Sequence, residues 1–514
     1  MSAWTLVSRV TGLGRVIVIG AVLGPTFLAN SFVTTNVMPN LAYLAIAGSV
    51  LSAVVVPAIV RTTAATGNQS AVDLLGQLAG FLLRVAGLAS ALLLVGSPVI
   101  AWLLTFGIAD AATRSRAEHL TVVMLLFIAP QIVFYMIATL GAAAQQARGR
   151  FALAAAAPAV ENVGVIATVA AVGFVFGTGV EMDAAPLGLV VLLCLGSTLS
   201  VALHMALQLF GASRVGLPIR PRLLRRADSV TLEVTHRIGQ SIVVAASPCV
   251  AYFALLALAA TVPGGVLVVQ MAYHVYALPV ALGARAVSTA VMPGLSVAAG
   301  RSDRKLFSEK VREGIAYTFI ASLPPLFLMV AFASPIADVL ANGRLRVEEL
   351  IQALAGCLVV LAVAQVAAGL REVCLQGLFA RLDVRRPRII ALSGLGVTLA
   401  AGLFTLHVLA GTDRLIGLSC AVLAGDIAAA VTAMLLLQRA VRPEALADRR
   451  RLMAAALAST VMLPVVAGGW LLIDVLADNR IEDLLIMGLT SMLALGLFAL
   501  ILRRHTRSRL GVAA

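Results

Sequence analysis

Long apolar stretches separated by short polar links run through the whole of this chain. A helix needs about 20 mostly apolar residues to cross the hydrocarbon core of a bilayer, and that length divides the sequence into about fourteen predicted spans. The predicted spans are 3–23, 32–60, 78–106, 120–145, 152–177, 186–211, 238–262, 265–298, 314–341, 350–378, 388–410, 415–438, 452–475 and 482–502. The pattern therefore predicts an all-α polytopic membrane protein.

The composition supports a membrane-embedded chain. Of its 514 residues, 61% are hydrophobic and only 12% are charged, and the mean hydropathy is +1.02. A soluble domain averages about 25% charged residues. The formal charge of +14 would suggest nucleic-acid binding in a soluble protein. Here most of the arginines lie in the links between spans, where they orient the helices, so no nucleic-acid partner is expected.

Basic residues are concentrated in alternate links, and the longest and most basic of these is 213–237. Because cytoplasmic links carry the excess of lysine and arginine, both termini are predicted to be cytoplasmic, in a multi-pass protein of the cytoplasmic membrane. The same link suggests a division of the chain. The predicted parts are an N-lobe at 1–212, a basic cytoplasmic linker at 213–237, a C-lobe at 238–440, and two additional helices with a basic tail at 441–514.

Residues with catalytic or metal-binding spacing are lacking. No HExxH or Walker motif occurs, and the five cysteines lie singly in apolar stretches, so neither an enzyme, a bound metal nor a cofactor is expected. Without a nucleotide-binding domain, energy must come from an ion gradient, the membrane potential or substrate supply. Coupling to a monovalent cation, Na⁺ or H⁺, is the corresponding expectation.

Two arginines lie inside the first predicted span. A charge near the bilayer centre costs at least about 2.5–3.5 kcal/mol on insertion scales, so it normally faces a wet cavity or a partner. Arg9 and Arg15 are six residues apart and do not share a helix face. We expect Arg15 to face a cavity and Arg9 to extend toward the cytoplasmic surface.

A second pair of cationic residues lies in the eighth span. His274 and Arg285 are eleven residues apart, which in a regular α-helix places them on one face, about 16 Å apart along the axis. That spacing suits an elongated anionic or sugar-bearing ligand. The alternative is that Arg285 pairs with a buried acid such as Glu161 or Asp426. Those two carboxylates could themselves belong to an ion-coupling path, or could be structural partners of arginines.

Several short motifs, in order along the chain, resemble those of the MurJ (MviN) family of lipid II flippases. Residues 8–15 (SRVTGLGR) are similar to its opening S-R-x-x-G-x-x-R. Further similar segments are PNL at 39–41, ARGRF at 147–151 followed by AP at 157–158 and NV at 162–163, MPGLS at 292–296, and FARLDVRRP at 379–387. The ordered set extends from the first span to the eleventh.

The resemblance implies a fold and an activity. It implies the multidrug/oligosaccharidyl-lipid/polysaccharide exporter superfamily, with two six-helix lobes in a V around a central cavity and two C-terminal helices that form a lipid-tail groove. It implies a flippase that moves a polyprenyl-diphosphate-linked cell-wall precursor across the cytoplasmic membrane by alternating access. In that family, cationic side chains on spans one, two and eight are thought to hold the diphosphate.

The candidate substrate residues follow by position, and some depart from the family pattern. Arg9 and Arg15 are retained. The family's basic pair after the PNL motif is absent, and Ala42, Tyr43 and Leu44 occupy this segment instead. The family's aspartate at the start of span two is Asn30 here, its span-eight arginine is His274, and Arg285 is a possible substitute. These changes leave open whether the substrate is lipid II or a related lipid-linked glycan.

Two other functions stay open at this point. One is a cation-coupled exporter of small amphipathic molecules, for which Glu161 and Asp426 would be the ion-coupling residues. The other is a non-transporting paralogue that acts as a scaffold for cell-wall synthesis or division proteins. The expected partners are otherwise a lipid-linked glycan and membrane lipids.

Overall fold

A computed structural model describes residues 2–46, 48–222, 229–383, 385–441, 448–476 and 479–507. Nineteen α-helices are present in these ranges. They are α1 (Ser2–Leu23), α2 (Phe27–Ile46), α3 (Gly48–Thr66), α4 (Asn68–Val95), α5 (Ser97–Thr105), α6 (Ala111–Ile128), α7 (Gln131–Ala147), α8 (Ala152–Phe176), α9 (Leu187–Arg214), α10 (Ser229–Ala259), α11 (Gly265–Pro279), α12 (Arg285–Gly300), α13 (Arg304–Ala331), α14 (Ala333–Leu340), α15 (Glu348–Ala380), α16 (Arg385–Val408), α17 (Asp413–Val441), α18 (Arg449–Leu476) and α19 (Arg480–Arg507).

The helices agree with the predicted membrane spans. Twelve helical stretches among the described residues are long and apolar enough to cross a bilayer, and each overlaps one of the last twelve predicted spans. The first two predicted spans coincide with α1 and with α2–α3, where residue 47 lies outside the described residues. The described part of the chain contains no β-strand. The predicted all-α polytopic membrane fold is confirmed.

Several predicted spans are interrupted. Pro130 separates α6 from α7, and Gly96 separates α4 from α5. A π-helix at Val280–Ala284 follows Pro279 and separates α11 from α12. Proline removes a backbone donor and obstructs the preceding turn, which explains two of these breaks.

The chain divides into two compact units. The first unit contains Met1–Leu267 together with Asn342–Leu345, and the second contains Val268–Ala341 and Arg346–Ala514. Helix α10 therefore belongs with the first unit by its contacts. The predicted lobes and linker stay a prediction, and residues 223–228 of that linker and 442–447 of the C-terminal region lie outside the described residues.

In the first unit, a buried apolar core joins α3, α4, α7 and α9. Ile59, Leu75, Leu82 and Ile132 are among its fully buried side chains. Burying a large aliphatic side chain contributes about 1.5–3 kcal/mol in a soluble protein, where water is the alternative environment. In a bilayer the gain comes mainly from close packing, because lipid tails are themselves apolar.

Two separate apolar clusters lie among the described residues of the second unit. One joins α12, α13, α15, α16 and α17, and the other joins Phe332 to α18 and α19 through Met462 and Phe498. The hairpin of α18 and α19 is also held by ion pairs. Arg451 lies 3.9 Å from Glu313, and the Nε of Arg480 lies 3.1 Å from a carboxylate oxygen of Asp338.

An apolar pocket of about 460 Å³ lies beside this hairpin. Its lining comes from the end of α13 and from α18 and consists of Ala331, Leu463, Val466, Ala467, Trp470 and Leu471. None of these side chains carries a charge, so the pocket suits a hydrocarbon chain.

An extended segment at 216–222, here called the strap, crosses α4 at two glycines. The backbone N–H of Arg222 donates to the carbonyl of Gly76 at 2.9 Å, and its guanidinium pairs with Asp73 at 2.8 Å. A Cβ on Gly80 would lie 1.9 Å from the carbonyl oxygen of Arg222, and one on Gly76 would lie 2.6 Å from that of Arg220. Only glycine therefore admits the strap here.

The Gly80→Ala substitution is expected to displace the strap. Overpacking at a close contact costs about 1–3 kcal/mol, so the melting temperature in detergent should fall and tryptic cleavage after Arg222 should accelerate. Gly87→Ala on the same helix is the matched control, because no neighbouring atom lies within 4 Å of its added Cβ. Equal cleavage rates in the two variants would contradict this packing.

Candidate functional site

The polar opening of α1 contacts two adjacent residues of α8. The side-chain N–H group of Asn162 donates to the carbonyl of Ser8 and to the hydroxyl of Thr11, both at 3.2 Å. Glu161 approaches Arg15 one turn further along α1, with 3.5 Å between its Oε1 and the guanidinium NH1. Thr11 and Arg15 are four residues apart and share a helix face. The polar residues of α1 thus contact α8 at two positions, one helical turn apart.

Glu161 is the centre of a buried cluster in the first unit. The hydroxyl of Tyr135 on α7 donates to its Oε1 at 2.7 Å, and Nδ1 of His204 on α9 lies 2.8 Å from its Oε2. Glu161, Tyr135 and His204 are each less than 9% exposed. The carboxylate is therefore stabilised by a hydroxyl, an imidazole and an arginine from three other helices.

Further polar residues hold this cluster in place. Gln208 lies 3.5 Å from Nε2 of His204, and its Oε1 accepts a hydrogen bond from Gln145 at 2.7 Å. Tyr43 stacks on Tyr135 with 6.1 Å between ring centroids. Tyr43 is thus a neighbour of the cluster rather than one of its hydrogen-bonding members.

Arg15 makes few contacts for a guanidinium inside a membrane helix. Its 3.5 Å approach to Glu161 is longer than a good hydrogen bond, and its buried Nε has no hydrogen-bond partner among the described residues. A guanidinium has five N–H donors, and its fork geometry matches phosphate oxygens. Arg15 therefore retains donors that an anionic ligand could use.

Asn30 has a different environment from the one expected of a cavity residue. It is 1% exposed, its amide group donates to the carbonyls of Ala260 and Val262, and its side-chain oxygen accepts from the N–H of Val266. Asn30 therefore fastens α2 to the turn between α10 and α11. Its predicted role in substrate binding has no support from these contacts and stays a prediction.

Arg9 is an exposed residue of α1. The structure records no hydrogen bond or ion pair of its side chain within the described part of the chain. The prediction that it extends toward the membrane surface stays open.

The second unit contains a comparable buried carboxylate. The Tyr276 hydroxyl donates to Oδ2 of Asp426 at 2.6 Å, and NH1 of Arg371 donates to its Oδ1 at 2.5 Å. Asp426 is 6% exposed. The partner of this acid is thus Arg371 of α15. The alternative that Arg285 pairs with Asp426 is therefore wrong.

His274 and Arg285 are separated by the π-helix at Val280–Ala284, so the expected three regular turns between them do not exist. A π-helix turns less per residue than an α-helix, and this changes the faces that the two side chains share. His274 is half-buried, with Nδ1 2.8 Å from the carbonyl oxygen of Gln270. Arg285 is exposed at the first residue of α12. Such π-bulges are frequent at functional sites.

The described residues contain no group of three or more His, Cys, Asp or Glu side chains that could hold a metal ion. The carboxylates of Glu161 and Asp426 are each occupied by an arginine and a tyrosine.

The sequence alone does not assign Tyr135 or His204 to the site. A polar residue inside an apolar span was the one available signal for each, and only the helix packing shows that they meet Glu161.

Twelve helical stretches long enough to cross a bilayer, with buried carboxylates paired to arginines, define the described part of this chain as a polytopic membrane protein. The family model described as "Lipid II flippase MurJ" matches residues 19–485. The chain belongs to the MurJ family.

Individual relatives agree with this assignment. The lipid II flippase MurJ of Burkholderia cenocepacia is 25% identical over 403 residues, which are 77% of this chain and 75% of that protein. The probable lipid II flippase MurJ of Haemophilus influenzae is 24% identical over 232 residues, or 44% of this chain and 43% of that protein.

Solved structures show the same fold. A lipid II flippase MurJ in an inward closed conformation superposes with a TM-score of 0.72 at 17% identity, covering 98% of both chains. An inward-facing multidrug resistance transporter of the MATE family, in the MOP superfamily, superposes with a TM-score of 0.66 at 17% identity and covers 85% of this chain and 94% of the other.

Substituting Asp426 tests the ionic cluster of the second unit. Asp426→Leu leaves Arg371 without its counter-charge, and breaking a buried pair in this way costs about 3–5 kcal/mol. The double variant Arg371→Met/Asp426→Leu should recover most of that loss. Unfolding in detergent, followed by circular dichroism, measures both. A double variant as unstable as the single one would contradict the pairing.

Proposed function

We propose that this protein is a flippase that moves a polyprenyl-diphosphate-linked cell-wall precursor across the cytoplasmic membrane by alternating access, without catalysing a reaction. Membership of the MurJ family supports this activity. The observation that carries the proposal is Arg15, a membrane-embedded guanidinium with one long contact and an unpartnered Nε. A diphosphate offers that group several oxygen acceptors and a compensating charge.

The lipid part of the proposed substrate also has a suitable environment. The pocket beside α18 has a volume of about 460 Å³ and a predominantly apolar lining, which supports binding of part of a polyprenyl chain. The expected partners are therefore a lipid-linked glycan and membrane lipids.

The orientation of the protein in the membrane is part of the proposal. The basic links support a cytoplasmic location for both termini. In that orientation the strap with Arg220 and Arg222 lies at the cytoplasmic surface, where anionic lipids attract arginine.

The contacts favour this function over a cation-coupled exporter. Such an exporter needs an accessible carboxylate for its ion or its cationic substrate, whereas Glu161 and Asp426 are both buried and paired with arginines.

For a coupling ion we propose H⁺ rather than Na⁺, because a proton needs one lone pair and a metal cation needs several open oxygen ligands. A dye-efflux assay distinguishes a cation-coupled exporter from the proposed flippase, because only the exporter should expel small amphipathic dyes. Complementation of flippase-depleted cells distinguishes a non-transporting scaffold that recruits cell-wall proteins.

The decisive experiment measures binding of a polyprenyl-diphosphate-linked glycan to the purified protein in neutral lipid nanodiscs. Arg15→Gln should weaken binding about 10- to 100-fold, because hydrogen bonds to charged groups contribute about 1.5–3 kcal/mol. Binding of the corresponding polyprenol, which lacks phosphate, should be unaffected by the substitution.

Arg84→Gln is the matched control, because it removes an exposed arginine from α4 in the same unit. It should bind the glycan as tightly as the wild type does. Arg285→Gln tests the second candidate arginine in the same assay. The proposed site is wrong if neither Arg15→Gln nor Arg285→Gln changes binding.

A further inference from the structure

The cluster around Glu161 contains a carboxylate that competes with any anion for Arg15. We propose that Glu161 is an exchangeable counter-ion: it holds Arg15 when the site is empty, and yields it to the diphosphate when the substrate binds. Tyr135 and His204 act as positioning residues that keep Glu161 hydrogen-bonded during the exchange. This inference rests on the proposed function and specifies how the site binds and releases its ligand.

The distances within the cluster support an exchange. Glu161 has short contacts with Tyr135 at 2.7 Å and His204 at 2.8 Å, whereas its contact with Arg15 is 3.5 Å. Leaving a buried carboxylate without partners would carry a large desolvation cost. Here the carboxylate keeps one good hydrogen bond on each oxygen when Arg15 departs. That arrangement lowers the cost of separating the pair.

The second unit provides an internal comparison. Arg371 donates to Asp426 at 2.5 Å, and Tyr276 supplies the one other hydrogen bond recorded for this carboxylate within the described part of the chain. Separating Arg371 would leave one oxygen of Asp426 without that donor. The Arg371–Asp426 pair therefore has the geometry of a fixed structural link, whereas the Arg15–Glu161 pair has the geometry of a loose one.

The surroundings of Glu161 keep it in position while Arg15 moves. Gln208 of α9 contacts His204, and Gln145 of α7 donates a hydrogen bond to Gln208. Gly141 admits Gln208 at this crossing, since a Cβ there would lie 2.7 Å from the Gln208 carbonyl oxygen. The carboxylate and its two short partners thus belong to a close contact between α7, α8 and α9, whereas Arg15 of α1 makes the longest contact of the cluster with Glu161.

An exchangeable counter-ion affects binding and release in opposite directions. Without the Glu161 charge, Arg15 binds the diphosphate without competition, so affinity rises. Release then slows, because no carboxylate recaptures the guanidinium as the lipid leaves. A merely structural role for Glu161 would instead lower affinity and transport together.

The test compares Glu161→Gln with wild type in two assays, using undecaprenyl diphosphate as the binding probe in nanodiscs and a fluorescent lipid-linked precursor for translocation in proteoliposomes. We expect binding about tenfold tighter and translocation at least about tenfold slower, the scale of one charged contact. Glu161→Asp, which keeps the charge, should restore much of the transport. Tyr135→Phe should shift affinity the other way, since Glu161 then depends more on Arg15.

Controls separate this inference from the function on which it rests. Asp426→Asn makes the same chemical change in the second unit and should not tighten binding. If wild type binds the probe and Arg15→Gln weakens it, but Glu161→Gln binds equally or less tightly while remaining folded, the exchange is overturned and the proposed function stands. If wild type does not bind the probe, the proposed function itself fails. Should Glu161→Gln not fold, the weaker binding expected of Tyr135→Phe decides the matter.

Discussion

The cost of an uncompensated charge in a low-dielectric environment governs the interior of both units. Each unit contains a buried carboxylate in contact with a tyrosine hydroxyl and an arginine, namely Glu161 in the first and Asp426 in the second. Neither acid could remain ionised in a helical membrane protein without such partners. The helices that carry these residues must pack closely enough to bring them together, so charge compensation and helix packing constrain each other.

The two carboxylate sites differ in how completely they use their arginine. Arg371 donates a short hydrogen bond to Asp426 at 2.5 Å, whereas Arg15 lies 3.5 Å from Glu161 and its buried Nε has no hydrogen-bond partner among the described residues. A transporter requires both behaviours, because rigid links maintain the helix bundle and an adaptable cation has to meet the ligand. The distance between arginine and carboxylate therefore distinguishes the Arg371–Asp426 pair from the Arg15–Glu161 pair.

Much of the fold could be predicted from the sequence. The apolar spans indicate helices that cross the membrane, and the arginine-rich links indicate where those helices end. The prolines at 130 and 279 indicate that the helices bend there. The π-helix that follows Pro279 was not predictable, because the hydrophobic pattern does not show how many residues a turn contains. The partners of Glu161 were not predictable either. Tyr135 and His204 lie 26 and 43 residues away along the chain, and only packing brings them to the carboxylate.

Asn30 is a departure from the family pattern whose hydrogen bonds depend on its side-chain amide. Its amide nitrogen donates to two backbone carbonyls, of Ala260 and Val262, while its oxygen accepts from the N–H of Val266. An ionised aspartate has no hydrogen to donate, and its second oxygen would face those two carbonyl oxygens. An ionised aspartate at position 30 would thus be repelled by the present turn, so the identity of this residue and the conformation of the turn between α10 and α11 depend on each other.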